Sequence, residues 1–306
     1  MPAMKFLVIG HLCLDVIHPV DEPEVQSYGG IYYSVATLAS LSGENDRIIP
    51  VFGINKNDYE PLIQHLKQFP NVDTSAIFQF DEPTNNVHLF YQNKETRIEC
   101  SKDISKPIQF ERIKNYLKVD GILINMISGF DIALSTLDET RMAVREKNIP
   151  IHFDYHSLTL GISPNYERFR RPVADWRRWS FMTDTVQLNE EEIGGLTLEK
   201  LTEQQTVGHM LTLGVKGLVV TRGERGASLF FNEHKKVIRK DIEGLAVERP
   251  RDATGCGDVF GAAFHFQFVK NNDLLAAATF ANQVAAAKAK MVGSDDIRQL
   301  KSFATT

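Results

Sequence analysis

The chain has 306 residues, of which 43% are hydrophobic and 24% charged. These proportions are typical of a globular protein and exclude fibrous and disordered classes. Lysine and arginine total 34 against 39 aspartate and glutamate residues, a net charge of -5, and the sequence has no basic stripe with interleaved aromatic residues. We therefore predict no nucleic-acid partner.

The cysteines and the first residues predict the compartment. Cys13, Cys100 and Cys256 are odd in number, far apart and outside any zinc-type spacing, which favours a reducing compartment over a disulfide scaffold. The first ten residues lead into an apolar strand pattern without a basic start or a cleavage site. No apolar run reaches the roughly 18 residues of a membrane span. We expect a cytoplasmic protein with no membrane partner.

The first hundred residues predict a strand, a helix and a small flap. An apolar strand pattern at residues 6–9 is followed by Gly29 and Gly30, which precede a largely apolar run at 31–41. Paired glycines that open a helix let another group approach the backbone closely. Short apolar segments broken by turns between 75 and 100 predict antiparallel strands. Because two or three strands alone bury too little surface, this flap must cover something or dimerise.

From about residue 105 onward, short apolar runs alternate with longer amphipathic stretches. Four runs are typical of buried strands: Gly121–Met126, Ile149–Asp154, Thr185–Asn189 and Gly217–Thr221. Amphipathic patterns at 134–147 and 203–213 predict helices between them. This alternation predicts strand–helix–strand crossovers and a parallel sheet.

The stretch from Arg251 to Asp258, with the sequence RDATGCGD, is the most informative for chemistry. Gly255 and Gly257 flank one small residue, Cys256, at a predicted helix start. A helix N-terminus exposes N–H groups without intrahelical acceptors and carries about half a positive charge, so it can hold a phosphate or a developing anion. Asp258, on the first turn, would place a carboxylate where it can accept the proton of a hydroxyl that attacks phosphorus.

A simpler interpretation of the same stretch needs no ligand. Thr254 could cap the helix, with Asp258 merely favourable near the helix dipole. Two common nucleotide motifs are excluded, because the chain has no GxxxxGK[ST] and because Gly255, Gly257 and Gly261 give GxGxxxG, one residue too long for a dinucleotide fingerprint. A P-loop fold and a dehydrogenase both lose support.

The RDATGCGD stretch resembles the DTxGAGD signature of the PfkB-family carbohydrate kinases, also called the ribokinase-like family, with Ala253 and Cys256 at variable positions. Gly29 and Gly30 before an apolar helix resemble the family's N-terminal signature. Residues 189–192 resemble its NxxE motif, and residues 220–227 resemble its nucleotide loop. In order and spacing, these matches cover nearly the whole chain.

The resemblance implies an α/β fold: a single ribokinase-like three-layer α/β/α domain over residues 1–306, with a mostly parallel central sheet. A small β-sheet lid would come from approximately 11–27 and 75–100. The implied activity is ATP-dependent phosphorylation of a hydroxyl on a sugar, polyol or nucleoside, with Mg²⁺. The family also permits K⁺ near Asp252 and Gly293, and an exposed lid edge permits a homodimer through strand pairing. The competing hypothesis is a non-catalytic ribokinase-like sensor that binds a sugar or nucleotide.

The resemblance also implies roles for residues on the phosphate side. Asp258 matches the catalytic base, and the backbone of Gly255, Cys256 and Gly257 matches the anion hole. The matched nucleotide-side residues are Asn189, Thr221, Gly223, Gly226 and Asn282, with Glu192 assigned to magnesium. Two of these matches also have ligand-free interpretations, since 189–192 has the pattern of a capping box and 221–226 that of a turn between strands.

On the acceptor side, Asp15 matches the family's acidic residue that accepts hydrogen bonds from substrate hydroxyls, although it could also be an exposed loop acid. Gly29 and Gly30 would let the backbone approach the same hydroxyls. Ser34 stands where many family members have asparagine, and it cannot donate two amide hydrogens. Asp-Tyr-His at 154–156 likewise replaces a frequent Asp-Pro-Asn. These departures predict an acceptor other than that of an ordinary ribokinase.

Overall fold

The computed structural model describes residues 3–18, 23–91, 97–247 and 251–304. The strands are β1 (Lys5–Ile9), β2 (Leu12–His18), β3 (Val25–Gly30), β4 (Arg47–Val51), β5 (Gly53–Asn55), β6 (Phe78–Phe80), β7 (Asn86–Tyr91), β8 (Arg97–Lys102), β9 (Gly121–Asn125), β10 (Ile151–Asp154), β11 (Leu160–Ile162), β12 (Arg168–Arg170), β13 (Thr185–Asn189), β14 (Gly217–Thr221), β15 (Gly226–Glu233) and β16 (Lys236–Glu243). The α-helices are α1 (Ile31–Leu41), α2 (Lys56–Leu66), α3 (Phe110–Ile113), α4 (Leu134–Val144), α5 (Trp176–Phe181), α6 (Glu190–Gly195), α7 (Glu203–Thr212), α8 (Cys256–Asn271) and α9 (Leu274–Lys288).

Eight strands form the central sheet, in the order β16-β15-β14-β13-β10-β9-β1-β4. Neighbours from β4 to β14 pair in parallel, and β15 pairs antiparallel with both β14 and β16. The predicted α/β class and mostly parallel sheet are therefore confirmed. The carboxyl ends of the parallel strands lie at one edge, the edge at which open α/β sheets bind ligands.

Alternating residues of the central strands enter two separate cores, one on each face of the sheet. In β1, Phe6 and Val8 pack with α1, α8 and α9, whereas Leu7 and Ile9 pack with α4, α5 and α7. All four side chains are fully buried. Because both faces of the sheet are covered, these strands have apolar residues at nearly every position and form continuous apolar runs in the sequence.

A second sheet has the order β3-β2-β7-β8, in which β2 pairs in parallel with β7 and the other two pairs are antiparallel. This is the small separate sheet that the sequence predicts, although parts of the predicted lid, 19–22 and 92–96, lie outside the described residues. One detail of the flap prediction is wrong. Phe78–Phe80 leaves the flap and pairs in parallel with β5, because its aromatic rings pack over Gly53.

Among the described residues, no helix is long and apolar enough to cross a membrane. Cys13, Cys100 and Cys256 are all free thiols, as the sequence predicts.

At the amino-terminal ends of the parallel strands, opposite the ligand-binding edge, Asp184 connects α4, β10 and the segment before β14. Its carboxylate accepts hydrogen bonds from Arg141 of α4 and from the Ile151 backbone N–H at 2.9 Å, and it pairs with Lys216 at 3.0 Å. Burial favours a higher pKa for Asp184, but the two cations outweigh it and hold the pKa below its usual range. This carboxylate therefore stabilises the fold above the ordinary aspartate pKa, and the contribution is lost as pH falls through the lowered folded-state pKa.

We expect Asp184→Asn to lower the free energy of unfolding by about 2–4 kcal/mol at pH 7, because it leaves the partly buried Arg141 uncompensated. Urea denaturation measures this loss, and the difference from the unmodified protein should shrink as the pH is lowered below about 4. The exposed Glu146→Gln variant is the control. A loss that stayed constant down to pH 3 would contradict the electrostatic explanation.

Candidate active site

A cleft of about 1500 Å³ opens at the carboxyl-terminal edge of the sheet. Its walls come from the ends of β13 and β14, the segment after β16, the start of α8 and one face of α9. The β11–β12 hairpin and the start of β8 form its other end. The cleft therefore runs from the edge of the central sheet to the small sheet.

The first turn of α8 opens into this cleft. Gly255 is the N-cap residue, with φ 77°, and the helix has no side-chain cap, so the interpretation in which Thr254 caps it is wrong. A Cβ atom at residue 255 would lie 2.4 Å from the Tyr33 ring, which packs directly against the turn. Cys256 and Gly257 line the cleft. A 16-residue helix thus begins at the cleft with the positive end of its dipole. The Cys256 N–H donates to the Ala253 carbonyl at 3.1 Å, so an anion at this turn would have to share or replace that hydrogen bond.

Cys256 contributes backbone to this turn, and its thiol is a poor nucleophile. Burial raises the pKa of the thiol to about 11, although Lys288 opposes the shift. Since the thiolate is the reactive form, a covalent cysteine mechanism is disfavoured. This agrees with the geometric role predicted for the residue.

Asp258 is buried one turn into α8, with 6% of its surface exposed. Its Oδ1 accepts a hydrogen bond from Asn125 Nδ2 at 2.7 Å and lies 3.9 Å from His156 Nε2. Burial raises the pKa of the Asp258 carboxyl, while His156 and the Asn125 hydrogen bond partly offset that rise. A carboxylate with a raised pKa, held by one amide, is suited to accept a proton near neutral pH.

Three buried acids lie together where the strands end: Asp154, Glu192 and Asp258. Burial raises the pKa of Asp154 well above its usual range, and the charges of Glu192 and Asp258 raise it further. Burial also raises the pKa of Glu192, and His156 opposes this shift. These three acids therefore repel one another when they are ionised.

The predicted capping box at Asn189 is present. Asn189 Oδ1 accepts from the Glu192 backbone N–H at 2.8 Å, and the two Glu192 oxygens accept from the N–H and side-chain amide of Asn189 at 2.7 and 2.8 Å. Asn189 also lines the cleft. The helix-capping interpretation is therefore correct, and the box holds Glu192 at the edge of the cleft.

The other predicted nucleotide-side residues are brought together along one wall. Thr221, Gly223, Gly226 and Asn282 all line the cleft. Asn282 Nδ2 donates to the Glu243 carbonyl at 2.9 Å, which ties α9 to the end of β16. Arg222 is held by Glu190, Glu203 and Ser228, so its guanidinium has a structural role in this conformation.

The acceptor-side residues lie on β2, β3 and α1. Asp15 is 5% exposed, and its carboxylate lies over Gly29, where an added Cβ would meet Asp15 Oδ2 at 1.9 Å. Gly30 is the N-cap of α1. Burial raises the pKa of Tyr33, and the charges of Asp15, Asp252 and Asp258 raise it further.

Ser34 differs from the other predicted acceptor residues. It is fully buried within α1, and its Oγ has no hydrogen-bond partner among the residues described. Like Asp15, Gly29 and Gly30, it is not part of the cleft lining. Its contact with an acceptor remains a prediction.

The sequence analysis assigned no role to four residues that the structure places at the site: Asn125, Asp154, His156 and Lys288. Asn125 and Asp154 are the last residues of β9 and β10, so the rule that ligands bind beyond strand ends could have found them. Lys288 lies four residues after Val284 on the buried face of an alanine-rich helix. A lysine at an apolar position of a helix is the signal that could have identified it.

Residues 164–299 match the model of the pfkB family carbohydrate kinases. This segment contains Asn189, the 221–226 turn, the Gly255 turn and Asp258. Over this segment, the chain is similar to the pfkB family carbohydrate kinases. No curated protein matches the chain.

Solved structures share the fold of the whole chain. Arabidopsis thaliana ribokinase complexed with ribose and ATP has a TM-score of 0.73 at 19% identity, covering 99% of this chain and 98% of the relative. Thermotoga maritima ribokinase has a TM-score of 0.77 at 20% identity, covering 99% of both chains. A pyrophosphate-dependent kinase in the ribokinase family, complexed with a pyrophosphate analogue and myo-inositol, has a TM-score of 0.76 at 18% identity, covering 97% of this chain and 98% of that one. The predicted ribokinase-like fold is confirmed.

The position of His156 beside Asp258 makes a prediction about pH. If Asp258 must be ionised to act, kcat/KM falls as pH drops through its raised pKa, and His156 keeps that pKa lower than burial alone would set it. We expect His156→Asn to move the acidic limb of the pH profile to higher pH by about half a unit or more. The exposed His209→Asn variant should leave the limb in place. A uniform loss of activity at every pH would contradict this interaction.

Proposed function

We propose that this kinase transfers the γ-phosphoryl group of ATP to a hydroxyl of a sugar, polyol or nucleoside, with Asp258 as the base and residues 255–257 as the anion hole. One observation carries the proposal. Asp258, held by Asn125 at 2.7 Å, stands on the first turn of α8, directly after Cys256 and Gly257, which line the cleft. A base and a set of anion-binding donors on one rigid helix are what in-line phosphoryl transfer needs.

In the proposed step, the acceptor oxygen attacks the γ-phosphorus while Asp258 takes the hydroxyl proton. The bond from the γ-phosphorus to its bridging oxygen breaks, and ADP leaves. The backbone N–H groups of Gly255, Cys256 and Gly257 stabilise the charge on the transferred phosphoryl oxygens. Asn125 donates to Asp258 Oδ1 and thereby leaves the second carboxylate oxygen to accept the proton.

The acid cluster supports the assignment of magnesium to this site. Glu192 would hold the ion together with Asn189, and Asp154 lies close enough to Glu192 to sense its charge. Among the described residues, no group of three acidic, histidine or cysteine side chains is placed so that it could hold a metal ion by itself. The proposed ion would therefore take most of its ligands from water and substrate phosphates, as Mg²⁺ commonly does. When bound, the ion would neutralise phosphate charge.

The shape of the cleft supports a nucleotide donor. The cleft is lined by Ala285 and Ala286 of α9, by Ala289 directly after that helix, and by Phe260 and Asn282. A wall of alanines next to one aromatic ring leaves a flat slot of the kind that a purine base fills. Pyrophosphate, the donor of one fold relative, has no base and would leave this slot unused.

The acceptor end of the cleft supports a polyhydroxylated substrate. Glu99 and Arg168 line the cleft wall beside the small sheet, and Asp15 is buried against Gly29 within that sheet, outside the cleft lining. A buried carboxylate can accept two hydroxyl hydrogen bonds, and it discriminates against a ligand that lacks them by about 1–3 kcal/mol. The competing hypothesis, a sensor without turnover, has no specific support in this geometry.

We expect Asp258→Asn to lower kcat by about 10²–10⁴-fold, the range that a general base typically contributes. ADP release measured over a panel of sugars, polyols and nucleosides checks this loss. The matched control is Asp273→Asn, which changes an aspartate at the start of α9, away from the cleft. Thermal melting and ATP binding should be unchanged in Asp258→Asn. Near-normal turnover in that variant would remove the assigned base.

We expect Ala286→Phe to fill the proposed base slot. The KM for ATP should rise about tenfold or more, because the added ring occupies the volume that the purine would take. Slow turnover with pyrophosphate or tripolyphosphate, if present, should not change. Val237→Phe, at an exposed position on β16 outside this cleft, is the control. An unchanged KM for ATP would contradict the location of the base.

A further inference from the structure

Lys288 is the last residue of α9, and none of its surface is exposed. Its Nζ has no hydrogen-bond partner among the described residues. Removing an ammonium group from water without such partners costs free energy, and a methionine would fill similar space without that cost. The proposed reaction does not use Lys288 directly, so its position calls for an explanation.

The charged and aromatic groups that face Lys288 all belong to the anion-hole turn or pack against it. Nζ lies 3.9 Å from Asp252 Oδ2 and 5.6 Å from the centre of the Tyr33 ring. Tyr33 is the ring on which Gly255 packs. The charge of Lys288 also lowers the pKa of both Cys256 and Asp258. One buried cation thus acts on both ends of the turn.

Asp252 joins this cation to the backbone of the turn. Its Oδ1 accepts from the Thr254 N–H at 2.8 Å, and its Oδ2 accepts from the Gly293 N–H at 3.0 Å. The Arg251 N–H donates to the Ala289 carbonyl at 2.8 Å, one residue beyond Lys288. The loop residues 251–254, which lead into the proposed anion hole, are therefore fixed to the end of α9, and the Lys288 ammonium group lies next to Asp252.

The monovalent cation that the family resemblance permits near Asp252 and Gly293 does not fit these residues. Asp252 Oδ2, which accepts from the Gly293 N–H, lies 3.9 Å from Lys288 Nζ. The ammonium group therefore already stands beside the carboxylate that would hold such an ion. A second cation beside a buried ammonium would be repelled strongly in this low-dielectric environment.

We propose that the Lys288 ammonium is a built-in cation that positions the 252–257 turn, so that this kinase works without a bound monovalent metal ion. The inference rests on the proposed function, because the turn is the proposed anion hole. Lys288 is a positioning residue, since it acts on the phosphoryl group only through Asp252, Tyr33 and the turn.

Two substitutions separate charge from packing. Lys288→Met removes the charge and keeps the volume, whereas Lys288→Ala also opens a space next to Asp252 that can take a potassium ion. ADP release is measured with Tris salts of ATP, in KCl and in choline chloride at equal ionic strength. Lys290→Met, at an exposed residue of the same chain segment, is the control.

We expect the unmodified protein and Lys290→Met to respond less than about twofold to K⁺. In choline chloride, the kcat of both Lys288 variants should fall about tenfold or more. A loss of this size is typical when a residue that orients the directly contacting groups is removed. KCl should restore most of the kcat of Lys288→Ala and none of that of Lys288→Met. Strong K⁺ activation of the unmodified protein, or a normal kcat in Lys288→Met, would overturn the proposal.

A second measurement does not depend on catalysis. The melting temperature of Lys288→Ala should be higher in KCl than in choline chloride, and that of the unmodified protein should be the same in both salts. This readout keeps its meaning even if no acceptor in the panel is phosphorylated, so a failure of the proposed function and a failure of this inference can be told apart. If the melting temperature of Lys288→Ala were the same in KCl and in choline chloride, the proposal that the Lys288 ammonium group takes the place of a metal ion would be contradicted.

Discussion

The turn at Gly255 is the constraint on which the site depends. A left-handed φ of 77° at this residue, with the Tyr33 ring packed against it, ends the preceding segment abruptly and starts α8 at the cleft. Any side chain at 255 would strain the backbone and meet the ring. With the turn fixed, the backbone N–H groups and Asp258 take positions relative to each other that no flexible loop could hold.

The surroundings of Asp258 show why one fold can supply a base at this point. Burial raises its pKa, Asn125 and His156 limit that rise, and Asp154 and Glu192 add negative charge nearby. Burial favours the neutral acid, whereas Asn125 and His156 favour the carboxylate. A raised pKa that is limited in this way suits proton transfer near neutral pH. Cations near these acids offset their negative charge. Lys288 is one such cation, and the proposed magnesium ion at Glu192 would be another.

The sequence predicted local elements well wherever one physical signal dominated. The glycine pair followed by an apolar run gave α1 at 31–41, and the continuous apolar runs gave β13 and β14 with the observed bounds, because strands covered on both faces need apolar residues at every position. The pairing of Phe78–Phe80 with β5 was missed, since register depends on contacts with Gly53, a residue distant in sequence.

Site residues divide in the same way. Asp258 and its glycines form one contiguous motif, so the sequence contains their relation directly. Asn125, His156 and Lys288 reach the site from three different elements, and only the packing of the sheet and α9 brings them there. Ser34 shows the reverse case: its place in a family pattern suggested a contact, while the helix buries it completely.

The most direct test of the account is a crystal structure of the protein with ADP, magnesium and tetrafluoroaluminate, an anion that mimics the phosphoryl group in flight. The account predicts the fluoroaluminate within about 2.7–3.1 Å of the backbone N–H groups of residues 255–257, with the Asp258 carboxylate facing its open side. An anion bound instead at Arg222 and Arg225, or an Asp258 carboxylate turned away from the fluoroaluminate, would contradict it.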